Sequence, residues 1–287
     1  TALRPSTPSS PIPTMDSQRR GAALSAESGR AEDMRHVLIL GGTAEARQLA
    51  GLLAGRADIK TTLSLAGRTA APAAQPVPVR VGGFGGVEGL AGYLKTERVD
   101  ALIDATHPYA AVISKHAAEA AASAGVPLLA LRRPAWTAAA GDRWIEVREI
   151  SDAATALGPE PKRVFLAIGR KEVAAFTAAP QHHYLIRSVD PIGPPLDVPH
   201  ATYVVSRGPF AESDEKALLA QHRIETIVAK NSGGDATYGK IAAARALGLS
   251  VVMLRRPALP DVQAVGDPQQ AVAWLDHEPP PSTKRGV

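Results

Sequence analysis

Three stretches of this 287-residue chain occur twice, in the same order and at nearly constant spacing. Val37-Leu-Ile-Leu-Gly-Gly-Thr-Ala-Glu45 is matched by Val164-Phe-Leu-Ala-Ile-Gly-Arg-Lys-Glu172, each an apolar run, a glycine and a helical pattern. Arg98-Val-Asp-Ala-Leu-Ile103 is matched by Arg223-Ile-Glu-Thr-Ile-Val228, a helix end running into a buried strand. Leu131-Arg-Arg-Pro-Ala135 returns as Leu254-Arg-Arg-Pro-Ala258, and the three offsets are 127, 125 and 123 residues. Any two α/β halves share apolar runs, but that does not account for the repeated Leu-Arg-Arg-Pro-Ala. Duplication of one unit is therefore the reading adopted, and it fixes the architecture before any single residue is weighed.

Within each copy, strand patterns alternate with helical ones. Strands are expected near 36–40, 60–66, 78–81, 99–104 and 127–131, with helices near 44–54, 87–96 and 109–124. The second copy repeats this with strands near 163–168, 183–188, 202–205, 224–229 and 250–254, and helices near 171–177, 212–221, 238–247 and 268–276. Such alternation specifies an α/β fold with parallel, doubly wound sheets. The aromatic content of only 4% leaves Ala, Val, Leu and Ile to build the core, as suits helices lying close on a parallel sheet. The expected units are 34–150 and 160–277, divided near Gly158-Pro-Glu-Pro161. Residues 1–33, rich in Ser, Thr and Pro at the start, and 278–287, with three consecutive prolines, are expected to lie outside them as loose segments. Because the two sheets are alike, each strand has two compatible homes, and exchange of a strand between them is an open possibility.

Ligand chemistry concentrates at strand ends. Gly41-Gly42-Thr43 follows the first buried strand and precedes a helix, where free amides and a partial positive charge suit phosphate. The full G-x-G-x-x-G fingerprint is missing, so a plain tight turn is the competing reading. After the second strand stands Arg68, where folds specific for NAD usually carry an acidic residue. An arginine fork there suits the 2′-phosphate of NADPH, and a solvated loop arginine is the alternative. Gly82-Gly83-Phe84-Gly85-Gly86 lets backbone approach a ligand, though a mobile loop would read the same. Asp104-Ala-Thr106-His107-Pro-Tyr109 packs four hydrogen-bonding side chains into six residues. His107 is a candidate acid, while Asp104 and Thr106 are either ligand contacts or caps of the next helix.

Gly41-Gly-Thr-x-Glu45, Asp104-Ala-Thr-His-Pro-Tyr109 and Lys230-Asn-Ser-Gly-Gly234 with Lys240 together resemble the motifs of precorrin-6A reductases of cobalamin biosynthesis, over about Met34–Asp276. The resemblance implies two Rossmann-like domains with a ligand cleft between them. It also implies NADPH-dependent reduction of a double bond in a metal-free tetrapyrrole, precorrin-6A, to precorrin-6B. Carried over residue by residue, it sets Gly42, Thr43 and Glu45 at or near the cofactor phosphates and Thr106, His107 and Tyr109 beside the nicotinamide. Lys230, Asn231, Ser232 and Gly233 then face the macrocycle. A substrate rich in carboxylates would be matched electrostatically by Arg170, Lys171, Arg207, Lys230 and Lys240, each of which could equally be a solvated charge. Lys230, Thr106, His107, Tyr109 or water could bring the proton that completes the reduction, and Lys230 and Thr106 are the expected positioning groups.

Composition narrows the rest. Without cysteine there are no disulfides, thiolate metal sites or cysteine nucleophiles, which fits a reducing cytoplasm. His182-His183 has no further ligands at useful spacing, so no metal is expected. The net charge of +4 is dispersed and lacks interleaved aromatics, so nucleic acid is a poor partner, and no apolar run is long enough for a membrane span. Two rivals stand beside the main reading: a reductase of cobalt-precorrin-6A, and a two-lobed nucleotide sensor without turnover. Oligomeric state is not legible.

Overall fold

A computed structural model describes residues 34–67 and 74–277; the expected leader 1–33, the tail 278–287 and Arg68 lie outside the described residues. The first half supplies β1 (Arg35–Leu40), α1 (Ala44–Leu53), β2 (Ile59–Leu65), β3 (Val79–Val81), α2 (Gly86–Thr96), β4 (Ala101–Asp104), α3 (Ala111–Ala124) and β5 (Leu128–Leu131). Then come β6 (Arg143–Val147), α4 (Ile150–Ala156), β7 (Arg163–Ala167), a 3-10 segment (Val173–Ala178), β8 (His183–Ser188) and β9 (Ala201–Val205). The chain ends through α5 (Glu212–Gln221), β10 (Thr226–Lys230), α6 (Gly239–Leu247), β11 (Ser250–Leu254), β12 (Ala264–Val265) and α7 (Pro268–His277).

Two six-stranded parallel sheets result, ordered β12-β5-β4-β1-β2-β3 and β6-β11-β10-β7-β8-β9. Position for position the two orders are the same, and duplication reaches the backbone dihedrals. Arg98 and Arg223 are the two non-glycine residues with positive φ among those described, at 50° and 51°. They sit at equivalent helix ends, where the chain reverses into β4 and β10.

Each sheet borrows its edge strand. β6 follows β5 in the chain but pairs with β11, while β12 follows β11 and pairs with β5. Sheet membership therefore does not follow the contiguous division into 34–150 and 160–277: 143–147 belongs to the second sheet and 264–277 to the first. The helix after β12 goes with it, because Ala271, Trp274 and Leu275 of α7 fill the core formed by β1, β4 and α1. On the opposite face of that sheet, Leu90, Leu94, Ala117 and Ala121 of α2 and α3 cover Leu38 and Leu102. The second sheet is covered by Ala153, Leu157 and Phe176 on one side and by Leu219, Ile241 and Ala244 on the other. The expected helix 171–177 is the 3-10 segment. Among the described residues no helix is long and apolar enough to cross a membrane.

Candidate functional site

The four central strands β1, β4, β7 and β10 end at Leu40, Asp104, Ala167 and Lys230, and the segments that follow them meet between the two halves. Thr43 caps α1: its Oγ1 accepts from the Ala46 amide at 3.1 Å and donates to the Ala105 carbonyl at 2.8 Å, tying this loop to the end of β4. Gly42 has φ of +122° and open space where a side chain would stand. Thr43 takes the Ala46 amide, while the amides of Ala44 and Glu45 in the first turn of α1 have no intrahelical acceptor, so donors and room fit a phosphate group. The Gly82–Gly86 loop is held from behind. Arg80 donates to the carbonyls of Gly82 at 2.6 Å and Gly83 at 2.8 Å, and its guanidinium lies 3.8 Å from the Phe84 ring centroid. That charge offsets two carbonyl dipoles that would repel an anion, and it assigns Phe84 to loop packing, edge-on against Tyr93. A cleft of about 680 Å³ opens beside Ala44 and Arg47 of α1, with Gly208, Pro209 and Ala236 as its far wall. Arg207 is exposed in that wall's loop.

Glu45, expected near phosphate, is turned across the interface. Its carboxylate accepts from Arg133 at 2.5 Å, and the same arginine donates through Nε to the Ser232 carbonyl at 2.7 Å. Arg256, the matching residue of the second Leu-Arg-Arg-Pro-Ala, donates to the carbonyls of Asn231, Arg133, Pro134 and Ser232 at 2.9–3.1 Å. The Asn231 side chain accepts from the Trp136 amide at 2.8 Å and donates to the Trp136 carbonyl at 2.9 Å. Tyr109 donates its hydroxyl hydrogen to the Leu254 carbonyl, and its oxygen accepts from the Asn231 amide at 2.7 Å. Asn231, Ser232 and Tyr109 thus join the halves, and Gly233 lies where an added methyl would meet the Pro134 carbonyl. Burial pushes the Tyr109 phenol up to about 12, so it stays protonated. Both ends of the Asn231 side-chain amide are used at once, one as acceptor and one as donor.

Asp104 accepts from the Thr106 amide at 3.1 Å and from its hydroxyl at 2.7 Å, a closed local turn. The pair does not cap α3, whose first residue follows Ala110 without a side-chain cap. His107 lies amid cations. Burial first, then the charges of Arg133, Lys230, Arg256 and Lys240, hold its imidazole down at about 3. It is therefore neutral at physiological pH and is no store of a ready proton. A histidine that charges at its ordinary 6.5 once unfolded but only near 3 when folded contributes stability above pH 6.5. That contribution is lost as pH falls from 6.5 towards 3. His107→Asn is expected to flatten the acid side of a Tm-against-pH curve over that window. An unaltered curve would show that His107 charges freely in the folded protein.

Lys230 donates to Glu172 at 2.6 Å and lies 5.1 Å from the Tyr109 ring, at the mouth of the space between the halves. Arg170 and Lys171 are exposed just before Glu172. Lys240 is not brought to this surface. It is buried in the first turn of α6, donates to the Thr237 carbonyl at 2.6 Å and lies 4.8 Å from the Trp136 ring. Burial, then Arg187, pushes its ammonium down to about 7, with Glu215 opposing. His182 is a buried residue whose Nδ1 accepts from the Lys162 amide at 3.2 Å, and His183 stacks on His200. Among the described residues no three metal-binding side chains are grouped. Arg80, Arg133, Trp136, Glu172 and Arg256 do not emerge from sequence reasoning as site residues. For Arg133, Arg256 and Glu172 the signal existed, because all three lie inside the repeated stretches.

Two doubly wound parallel sheets, facing each other through glycine-bearing loops at their carboxyl ends, define a two-lobed Rossmann-like α/β protein. Comparison with known proteins makes it particular: the chain belongs to the family described as Precorrin-6x reductase CbiJ/CobK, matched over residues 36–276. It is 55% identical over 241 residues to the precorrin-6A reductase of Sinorhizobium sp, covering 84% of this chain and 92% of that protein. It is 49% identical over 255 residues to that of Rhodobacter capsulatus, covering 88% and 100%. A solved structure of CobK precorrin-6A reductase superimposes with a TM-score of 0.81 at 48% identity, over 88% of this chain and all of that one, 100%.

Proposed function

We propose that this precorrin-6A reductase binds NADPH on its first lobe and reduces one macrocycle double bond of precorrin-6A to give precorrin-6B. The observation that carries the reading is the linkage of three strand ends, in a chain of this family: Thr43 is tied to the Ala105 carbonyl, the Tyr109 hydroxyl accepts from the Asn231 amide, and Lys230 lies 5.1 Å from the Tyr109 ring. NADPH, when bound, supplies the hydride; the protein orients and shields. The Gly41–Thr43 loop and the first turn of α1 receive the pyrophosphate, and the loop held by Arg80 borders the ribose. Thr106, locked by Asp104, presents a fixed hydroxyl where the two lobes meet. Lys230, with the exposed Arg170, Lys171 and Arg207, matches the carboxylates of the substrate. Tyr109 and the Asn231 backbone fix the separation between lobes, and with it the distance between donor and acceptor carbons.

The test is anaerobic oxidation of NADPH by the purified protein with precorrin-6A, with NADH and cobalt-precorrin-6A as comparison arms. Turnover is expected with NADPH and the metal-free substrate. Folded protein that binds NADPH and turns over neither macrocycle would contradict the reading and favour a sensor. Arg68 is the expected partner of the 2′-phosphate. A charge-assisted hydrogen bond there contributes about 1.5–3 kcal/mol, roughly ten- to hundredfold in affinity. Arg68→Ala is expected to weaken NADPH by that factor and leave NADH unaltered; an equal loss for both would place Arg68 elsewhere.

A further inference from the structure

The duplicated unit puts a glutamate three residues beyond a glycine of positive φ in both lobes. Gly42 (φ +122°) precedes Glu45, and Gly169 (φ +111°) precedes Glu172. Each glutamate takes a cation from the carboxyl end of another strand, Arg133 just beyond β5 and Lys230 as the last residue of β10. Glu45 takes Arg133, and Glu172 takes Lys230, with side-chain exposures of 20% and 13% in the first pair and 31% and 13% in the second. The first pair is spent on the lobe interface, because Arg133 also holds the Ser232 carbonyl. The second is not: Lys230 Nζ has Glu172 Oε1 at 2.6 Å and the Tyr109 ring at 5.1 Å, and an ammonium has three N–H donors.

We propose that Glu172 is a positioning residue for the reduction, fixing the Lys230 ammonium at the mouth of the interlobe space so that its remaining donors meet a substrate carboxylate. The proposal rests on the reading above that Lys230 faces the substrate. Four bonds of side chain give a lysine many rotamers, and an unpaired one loses that freedom only on binding, at the expense of affinity. Glu172 removes the freedom beforehand. Gly169 leaves room beside the pair: a methyl group there would stand 3.2 Å from Glu172 Oε2 and 4.0 Å from Lys230 Nζ, crowding it from one side. Among the described residues Glu172 is the carboxylate with which this ammonium forms an ion pair. Tyr109 is protonated, His107 is neutral, and Arg133, Arg256 and Lys240 act on the same imidazole as Lys230 does.

The experiment is a double-mutant cycle on the full chain: wild type, Glu172→Gln, Lys230→Met and both together. KM for precorrin-6A, kcat and the Kd of NADPH are read for each. Glu172→Gln is isosteric at a partly exposed site, and the melting temperature of each variant checks folding. Glu172→Gln is expected to raise KM about tenfold while kcat changes less than about twofold and NADPH affinity is retained. In the Lys230→Met background the same change is expected to do nothing further, since its only route is through the lysine. Losses that multiply in the double variant, or a Glu172→Gln loss confined to kcat or to NADPH affinity, would overturn the proposal. Glu172→Asp, which keeps the charge, is expected to recover part of the lost KM; a KM no better than that of Gln counts against it. Absence of turnover in the wild type would instead sink the reading of function, and the dyad with it.

Discussion

A chain that stops at Pro260 is expected to lose the first lobe, although every residue of β1 to β5 is still present. The missing piece contains β12 and α7. Ala271, Trp274 and Leu275 of α7 are 0, 9 and 3% exposed in the core beneath β1 and α1, and Val265 and Val272 pack against them. Full burial of a large apolar side chain contributes about 1.5–3 kcal/mol, so this helix and strand supply about 5–8 kcal/mol. That is comparable with the whole stability of a domain, about 5–15 kcal/mol. Two polar ties go as well: Arg35 donates to the Leu275 carbonyl, and Arg56 pairs with Asp276 at 3.0 Å. Fluorescence titration of the truncated chain is expected to show NADPH affinity lost by a factor of a hundred or more, while circular dichroism shows only the β content of the second sheet retained. Retained affinity would mean that the first sheet closes without its borrowed edge.

The second large effect is expected at Gly233. Its φ is +69°, and a methyl group there would lie 2.1 Å from the Pro134 carbonyl oxygen and 2.3 Å from Arg256 Nη2. Left-handed backbone costs a residue with a side chain about 1–2 kcal/mol, and forced overpacking adds about 1–3 kcal/mol. Gly233→Ala is therefore expected to cost about 2–5 kcal/mol and to lower Tm by roughly 2–4 °C for each of them. It also moves the loop that follows Lys230 at the end of β10, so kcat/KM for precorrin-6A should fall more than tenfold. Gly248 separates the two causes. It has φ of +66° at the end of α6, with nothing within 4 Å of an added methyl, so Gly248→Ala bears the backbone cost alone. Equal melting temperatures for the two variants would show that the interface yields to the extra methyl.

What the sequence discloses is the part governed by local pattern. Val37–Leu40 reads as a buried run, and all four residues are at most 2% exposed. The repeated passages from helix end to strand at Arg98 and Arg223, the strand-to-helix loop at Gly41–Thr43 and most of the order of elements follow in the same way. β6 was invisible because an edge strand has little pattern: of Arg143-Trp-Ile-Glu-Val147 only Val147 is buried, and Ile145 is 45% exposed. β12 is two residues long and α4 seven, too short for a period to establish itself. Which sheet a borrowed strand joins is decided by partners more than a hundred residues away, and no local propensity encodes it. The same limit applies to the site. Lys230, Tyr109 and Glu45 are legible as polar residues near strand ends, but their partners are set by tertiary packing: Glu172 follows β7, Arg133 follows β5, and the Leu254 carbonyl comes from the other lobe. Lys240 misled for the complementary reason: a lysine looks solvent-facing in a sequence, whereas here the first turn of α6 buries it beneath Trp136.

The exchanged strands also decide how the lobes can move. The chain passes from one sheet to the other between β5 and β6, and returns between β11 and β12, so two straps join the lobes side by side. Each strap begins with one copy of Leu-Arg-Arg-Pro-Ala, and Arg256 of the second donates to Arg133 and Pro134 of the first. A single connector acts as a swivel and allows twist as well as opening. Two connectors bonded to each other remove the twist and leave bending about one axis, as two leaves do on a door.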